Sequence, residues 1–206
     1  MHSTNSFPTH TGAEFLEFLK VAGSGDKAAV EEFLGRHPET KRFLETEKPS
    51  PESFTTERFW GVNAFIFVNG KGEKRAFRYQ VLPAEEVKHL SPEEVKPKPE
   101  NYLFDDISAR LSSGQPAEFK LVAQLSEEGD VTDNATVLWP EEREIVELGT
   151  IKLEKEVETE ESKKEQKYII FDPIPRVEGI EPSADPLLET RANVYLVSGR
   201  ERRAAA

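Results

Sequence analysis

An α+β fold, an antiparallel sheet accompanied by helices, is predicted by three features of the 206-residue sequence. Four stretches, 59–68, 74–82, 117–125 and 145–153, alternate apolar and polar side chains at the period of a strand. Asn69-Gly70-Lys71-Gly72 is a turn that joins the first two as a hairpin. Well-capped stretches near both ends repeat apolar residues at helical spacing.

In chain order, Thr11-Gly12-Ala13-Glu14 is a capping box, and Phe15, Phe18, Leu19 and Ala22 follow at i, i+3, i+4 and i+7 of an inward-packing helix. Gly23, Ser24 and Gly25 punctuate. Asp26 caps a second helix that carries Val30, Phe33 and Leu34 and is expected to end at Gly35. His37-Pro38 starts a third with Phe43 and Leu44. Lys48 to Pro51 is a proline-marked connection, and Phe54 leads into the strand at 59–68. Pro83 to Pro99, rich in proline and charge, reads as a covering loop with one helical turn at 92–96. A helix over 101–111 ends before Gly114; in the strand at 117–125, Phe119, Leu121, Ala123 and Leu125 share a face. Trp139 and Pro140 pin a long loop at 130–144, the strand at 145–153 is interrupted at Gly149, and the alternating signs of 154–167 describe a solvated surface.

Composition narrows the function. Hydrophobic residues at 36% and charged residues at 32% suit a single soluble domain spanning 1–206. A net charge of −12 argues against nucleic acid and acidic membrane surfaces, because both require clustered cations, and Arg200, Arg202 and Arg203 are too few to reverse it. The absence of cysteine removes disulfides, thiolate metal sites and thiol nucleophiles. No apolar run approaches the ~20 residues of a membrane span and the first residues lack the parts of a signal peptide, so a cytoplasmic or other intracellular location is expected. None of the four histidines has a histidine partner at i+3 or i+4, so a metal site built from protein ligands alone is not expected. Phosphate-binding glycine loops, nucleophile elbows and zincin motifs are missing.

The polar chemistry gathers in FDPIPRVEGIEPSADPLLETRANVYLVSGRERR, residues 171–203. Ser183 or Asp185 can cap a helix there, with Pro186 in its first turn and Leu187 and Leu188 opening an apolar run. Arg191 and Tyr195 are i and i+4, so the guanidinium can hydrogen-bond the phenol oxygen, and a cation there favours the phenolate. A tyrosine on the apolar face of a helix is ordinarily a core residue, and spacing alone does not set this one apart.

Resemblance does. The run FDP-x3-VEGIEPSADPLLETR-x3-Y is similar to the proximal haem segment of the haem catalases, and more closely to that of the small catalase-related peroxidases. FLxxHPETxxFL at 33–44, VNAFxFVNxxG at 62–72 and the D-x-T-x-x-W-P-like run ending at Pro140, with Asn134 in place of the aspartate, resemble the same family. Tyr195-Leu196-Val197-Ser198 departs from the Tyr-Pro-Asp-Thr of larger catalases and places the chain with the small relatives. The resemblance implies haem, haem b, as cofactor; Tyr195 as iron ligand; Arg191 as its support; Arg202 as the haem-contacting arginine; and Phe15 as a ring near the porphyrin, against the ordinary reading of a core phenylalanine. Asn63 has two readings, a polar contact in the pocket or a hydrogen-bonded core amide. The family's distal histidine and asparagine lie upstream of the matched region, and neither His2 nor His10 matches their motif, so no catalytic residue is carried over. The implied fold is half of a catalase-like β-barrel, about four strands, left open and able to associate with another copy through its edges. The implied function is reduction of hydrogen peroxide or an organic peroxide, with this chain carrying the proximal half. The alternative is a truncated, non-enzymatic relative that binds haem weakly or serves as a structural domain.

Overall fold

The structure, a computed structural model, describes residues 1–205. Three helices come first, α1 (Gly12–Gly23), α2 (Lys27–Arg36) and α3 (Pro38–Glu45). After them run β1 (Ser50–Pro51), a 3-10 turn at Phe54–Thr56, β2 (Phe59–Trp60), β3 (Phe65–Val68), β4 (Lys74–Pro83), β5 (His89–Leu90), α4 (Pro92–Val95) and α5 (Tyr102–Ser112). The remainder is β6 (Ala117–Leu125), β7 (Ile145–Leu153), α6 (Thr159–Gln166), β8 (Ile180–Pro182) and α7 (Pro186–Ala204).

The principal sheet is antiparallel and does not close: β7, β6, β4, β3 and β8 lie in that order, and β2 pairs β4 beyond the end of β3. The strands β6 and β7 have the bounds expected from the sequence. Gly149 marks a bulge there, because the register moves from Leu121 opposite Gly149 to Val122 opposite Glu147 and leaves Leu148 unmatched. Four expectations need correction. The α2 helix passes Gly35 by one residue, ending at Arg36. The segment 83–99 is less a loop than expected, since β5 within it pairs β1, Pro51 opposite His89. The polar stretch 154–167 contains α6, capped by the Glu158 carboxylate, which accepts from the backbone N–H groups of Glu160 and Glu161.

The fourth correction matters most for the site. The single strand expected over 59–68 is two strands, because Trp60 stands opposite Gln80 and Phe65 opposite Phe77. Four residues, Gly61–Ala64, therefore face two. The excursion starts where Gly61 N–H donates to Tyr79 O at 2.7 Å, and it buries Val62, Asn63 and Ala64.

The two sheet faces differ chemically. On one, Phe65, Phe77, Ala123 and Leu125 meet Leu188 of α7, and Phe67 stacks on Phe77 with ring centroids 3.6 Å apart. The sequence leaves this face short of an opposite wall. The first turn of α7, with Ile174 and Ile180, supplies part of one. Burying a leucine there contributes ~2 kcal/mol. On the other face, buried Arg78, Gln80 and Gln124 lie beneath the loop 130–144. Arg78 donates to Val137 O at 2.8 Å and its guanidinium lies 4.5 Å from the Trp139 ring centroid; burial pushes its pKa down to about 10. Trp139 Nε1 in turn donates to Val131 O at 2.8 Å, pinning the loop as expected.

Candidate functional site

A cavity of about 610 Å³ opens between α1, α7 and the Gly61–Ala64 excursion. Its α1 wall is placed by the capping box: Glu14 N–H donates to Thr11 Oγ1 at 3.2 Å and Thr11 N–H to Glu14 Oε2 at 2.9 Å. An aromatic row then ties α1 to α2. Phe15 lies 6.4 Å from Phe18, Phe18 lies 5.9 Å from Phe33, and Phe33 is buried. Phe15 therefore belongs to both readings, a member of the packed row and a lining residue of the cavity, where Leu16 and Leu19 accompany it.

The opposite wall is α7, whose Thr190, Arg191, Val194 and Tyr195 line the cavity. The two helices pack closely at Gly12, where an added Cβ would sit 2.4 Å from Thr190 Cγ2. Any side chain at residue 12 would push the walls apart.

Asp185 resolves the choice of cap: it accepts from Leu187 N–H through Oδ1 at 2.9 Å. Its other oxygen, Oδ2, accepts from Asn63 Nδ2 at 2.9 Å, and Asn63 Oδ1 accepts from Arg191 Nη1 at 2.7 Å. Asn63 thus unites its two readings, as a satisfied buried amide that also faces the cavity. Burial raises the Asp185 pKa, while Asn63 and the Leu187 N–H act to lower it.

This chain of bonds corrects the expected contact between Arg191 and Tyr195. The guanidinium does not reach the phenol oxygen as a hydrogen-bond donor; it lies over the ring, 5.5 Å from its centroid. The competition explains why. An unsatisfied carbonyl on buried Asn63 would cost ~1–3 kcal/mol, whereas the half-buried phenol has water within reach.

The structure brings Tyr195, Arg191 and Phe15 to one cavity and leaves Arg202 elsewhere. Arg202 Nη1 donates to Gln166 O at 2.8 Å and Nη2 to Ile169 O at 2.5 Å. These carbonyls lie at and just beyond the end of α6, where a cation is favoured by the helix dipole. Three participants had no assigned role in the site from the sequence. Asp185 was legible only as a cap. Phe171, whose ring meets Tyr195 edge-on, gave no signal beyond its place in the motif. His2 lines the cavity and is anchored by its backbone, donating to Trp60 O at 2.8 Å and accepting from Trp60 N–H at 2.7 Å. Burial lowers its imidazole pKa, with the amino terminus and Arg191 adding to the effect.

Fold and site together define a catalase-type architecture, and the comparisons agree. The fold matches crystal structures of a fungal catalase, at a TM-score of 0.80 and 20% identity over 97% of this chain and 44% of that one. A bacterial catalase matches at a TM-score of 0.80 and 19% identity, over 97% and 42%. The Catalase family profile matches residues 21–206, and the chain belongs to that family. A catalase-related peroxidase of Synechococcus elongatus is 32% identical over 88% of this chain and 53% of the relative. One from Mycolicibacterium paratuberculosis is 31% identical over 74% and 47%. The chain thus spans about half the length of these relatives.

Among the described residues no helix is long and apolar enough to cross a membrane, and no cluster of three or more acidic, histidine or cysteine side chains could hold a metal ion.

Proposed function

We propose that this chain is the proximal haem-binding portion of a catalase-related peroxidase acting on hydrogen peroxide or an organic peroxide. The observation that carries the reading is a single wall of α7 on which the family motif sets Tyr195 and Arg191 together, facing a largely apolar cavity. The residues fit haem. The volume of about 610 Å³ lies within the range of cofactor sites, the lining is apolar with a few convergent polar groups, and a tyrosine oxygen is the haem ligand of catalases.

Tyr195 would provide the oxygen ligand to iron. Arg191, tied through Asn63 to Asp185, holds a cation over that ring, and Phe15, Leu16, Leu19 and Val194 keep the surroundings apolar. When bound, haem supplies a redox-active iron that exchanges electrons with the peroxide. Peroxide turnover also needs a group to move its proton, a contribution of ~10² to 10⁴ in rate, and for that reason binding and turnover are separate expectations for this chain.

Haem titration into the purified chain tests the reading. A Soret band saturating at one equivalent, with a tyrosinate charge-transfer absorption that Tyr195→Phe abolishes, is the expected result; retention of that absorption in the variant removes Tyr195 as ligand. Oxygen evolution from peroxide no faster than equimolar free haem is expected of the chain by itself. Faster turnover would give it a proton-moving group of its own, for which His2 is the cavity-lining imidazole.

A further inference from the structure

Residues 166–171 cross the C-terminal half of α7 as a strap, and their attachments are specific. Arg202 binds the carbonyl oxygens of Gln166 and Ile169, while Lys167 Nζ donates to Ala205 O at 2.9 Å. Between these bonds the strap presses on a buried glycine: a Cβ added to Gly199 would lie 2.2 Å from Ile170 Cδ1. The strap ends in Phe171. Its ring meets that of Tyr195 edge-on, with centroids 6.1 Å apart and an angle of 70°, and the Arg202 guanidinium lies 5.6 Å from the Phe171 centroid.

Arg202 therefore touches the strap at two carbonyls and one ring, and reaches Tyr195 only through Phe171. Arg191 contacts the same tyrosine from within α7, one turn back. Without a contact from outside the helix, a side chain between solvent-exposed Val194 and Leu196 would be free to change rotamer.

We propose that Arg202 is a positioning residue for Tyr195: it latches the strap 166–171 across α7 so that Phe171 holds the tyrosine ring in place. The proposal rests on reading Tyr195 as the iron ligand, and it replaces the direct haem contact that the resemblance implied for Arg202. The two bonds to carbonyls are charge-assisted, so they are strong enough to hold a segment with little other burial.

The test labels the haem-free chain with 3-fluorotyrosine, assigns the Tyr195 resonance among the four tyrosines with Tyr195→Phe, and follows amide exchange. In Arg202→Gln, exchange at 167–171 should rise about tenfold and the Tyr195 resonance should broaden or move, while amides 187–191 keep their protection. Arg202→Lys should recover part of both. Phe171→Leu should move the resonance without loosening the strap, so a poorly folding arginine variant does not decide the matter alone.

In the haem-free chain two results overturn the proposal: a strap that exchanges no faster in Arg202→Gln, or a Tyr195 resonance that stays put in both Arg202→Gln and Phe171→Leu. In the haem-loaded chain the tyrosinate absorption should weaken in both variants. If Arg202→Gln alone weakens it, with the haem-free resonance unmoved, Arg202 meets the cofactor directly and the proposal fails. Failure of the ligand reading looks different, since Tyr195→Phe would then retain the absorption while the haem-free responses persisted.

Discussion

Over its first turn α7 is enclosed, with Asp185, Leu187 and Leu188 exposing 3%, 4% and 2% of their surface, whereas one to two turns beyond Arg191, Val194, Leu196 and Val197 expose 55%, 55% and 47%. One helix thus has an end that belongs to the core and an end held by a strap. Arg191 sits between them and is bonded back to the buried end through Asn63. Tyr195 lies on the open side of that division, where ordering comes from two ring contacts rather than from burial. The contrast teaches where this architecture keeps its stability and where it keeps its adaptable surface. The proposed haem site would draw on a fixed base and an accessible tip, and low local stability is the usual condition of the latter.

The comparison is broken most severely by Leu188→Ala. Removing a 2%-exposed leucine from between Phe65, Phe77, Ala123 and Leu125 should cost ~3 kcal/mol in urea unfolding and loosen both ends of the helix together. A loss below ~1 kcal/mol would mean that the first turn is not part of the core.

Asp185→Asn is the intermediate case and carries a pH signature. Burial raises the folded pKa of Asp185 above its ordinary 3.8, so the folded chain holds this proton more tightly than the unfolded one. Stability from this group is complete below 3.8 and declines as pH rises through the folded pKa. The variant cannot show that decline. Its stability relative to the parent should therefore improve from acid toward neutral pH, on top of a constant loss of ~1 kcal/mol for a weakened cap. A pH-independent difference would refute the assignment.

At the other extreme, Leu196→Gln should change unfolding stability by no more than ~0.5 kcal/mol, since the side chain is 55% exposed. A larger loss would show that the open half of α7 is packed in solution.

Several parts of this division were legible in the sequence. The capping box at Thr11 to Glu14, the strands at 117–125 and 145–153 and the helix carrying Arg191 and Tyr195 all follow from local periodicity and capping chemistry. What escaped had physical reasons. The α6 sequence Thr-Glu-Glu-Ser-Lys-Lys-Glu-Gln has no apolar stripe, so hydrophobic periodicity cannot detect it. The β8 strand has three residues, ends in proline and exists because β3 offers it an edge. The link from Asp185 to Asn63 joins residues 122 positions apart, and no local pattern announces such a pair. The bonds from Arg202 to the carbonyl oxygens of Gln166 and Ile169 could not be read from its motif position, because they depend on where the chain runs after α6.

The excursion at Gly61–Ala64 has a consequence for which changes of length the chain can survive. Four residues there face two, and the surplus is even, so Phe59 opposite Val81 and Phe65 opposite Phe77 still point to the same side of the sheet. Deleting one residue would reverse the facing of one flanking segment and turn its aromatic rings away from the core. Deleting two would leave a continuous ladder and an intact sheet, yet Asn63 would no longer stand out far enough to join Asp185 to Arg191. Insertions and deletions here are therefore filtered twice, by parity for folding and by number for the site.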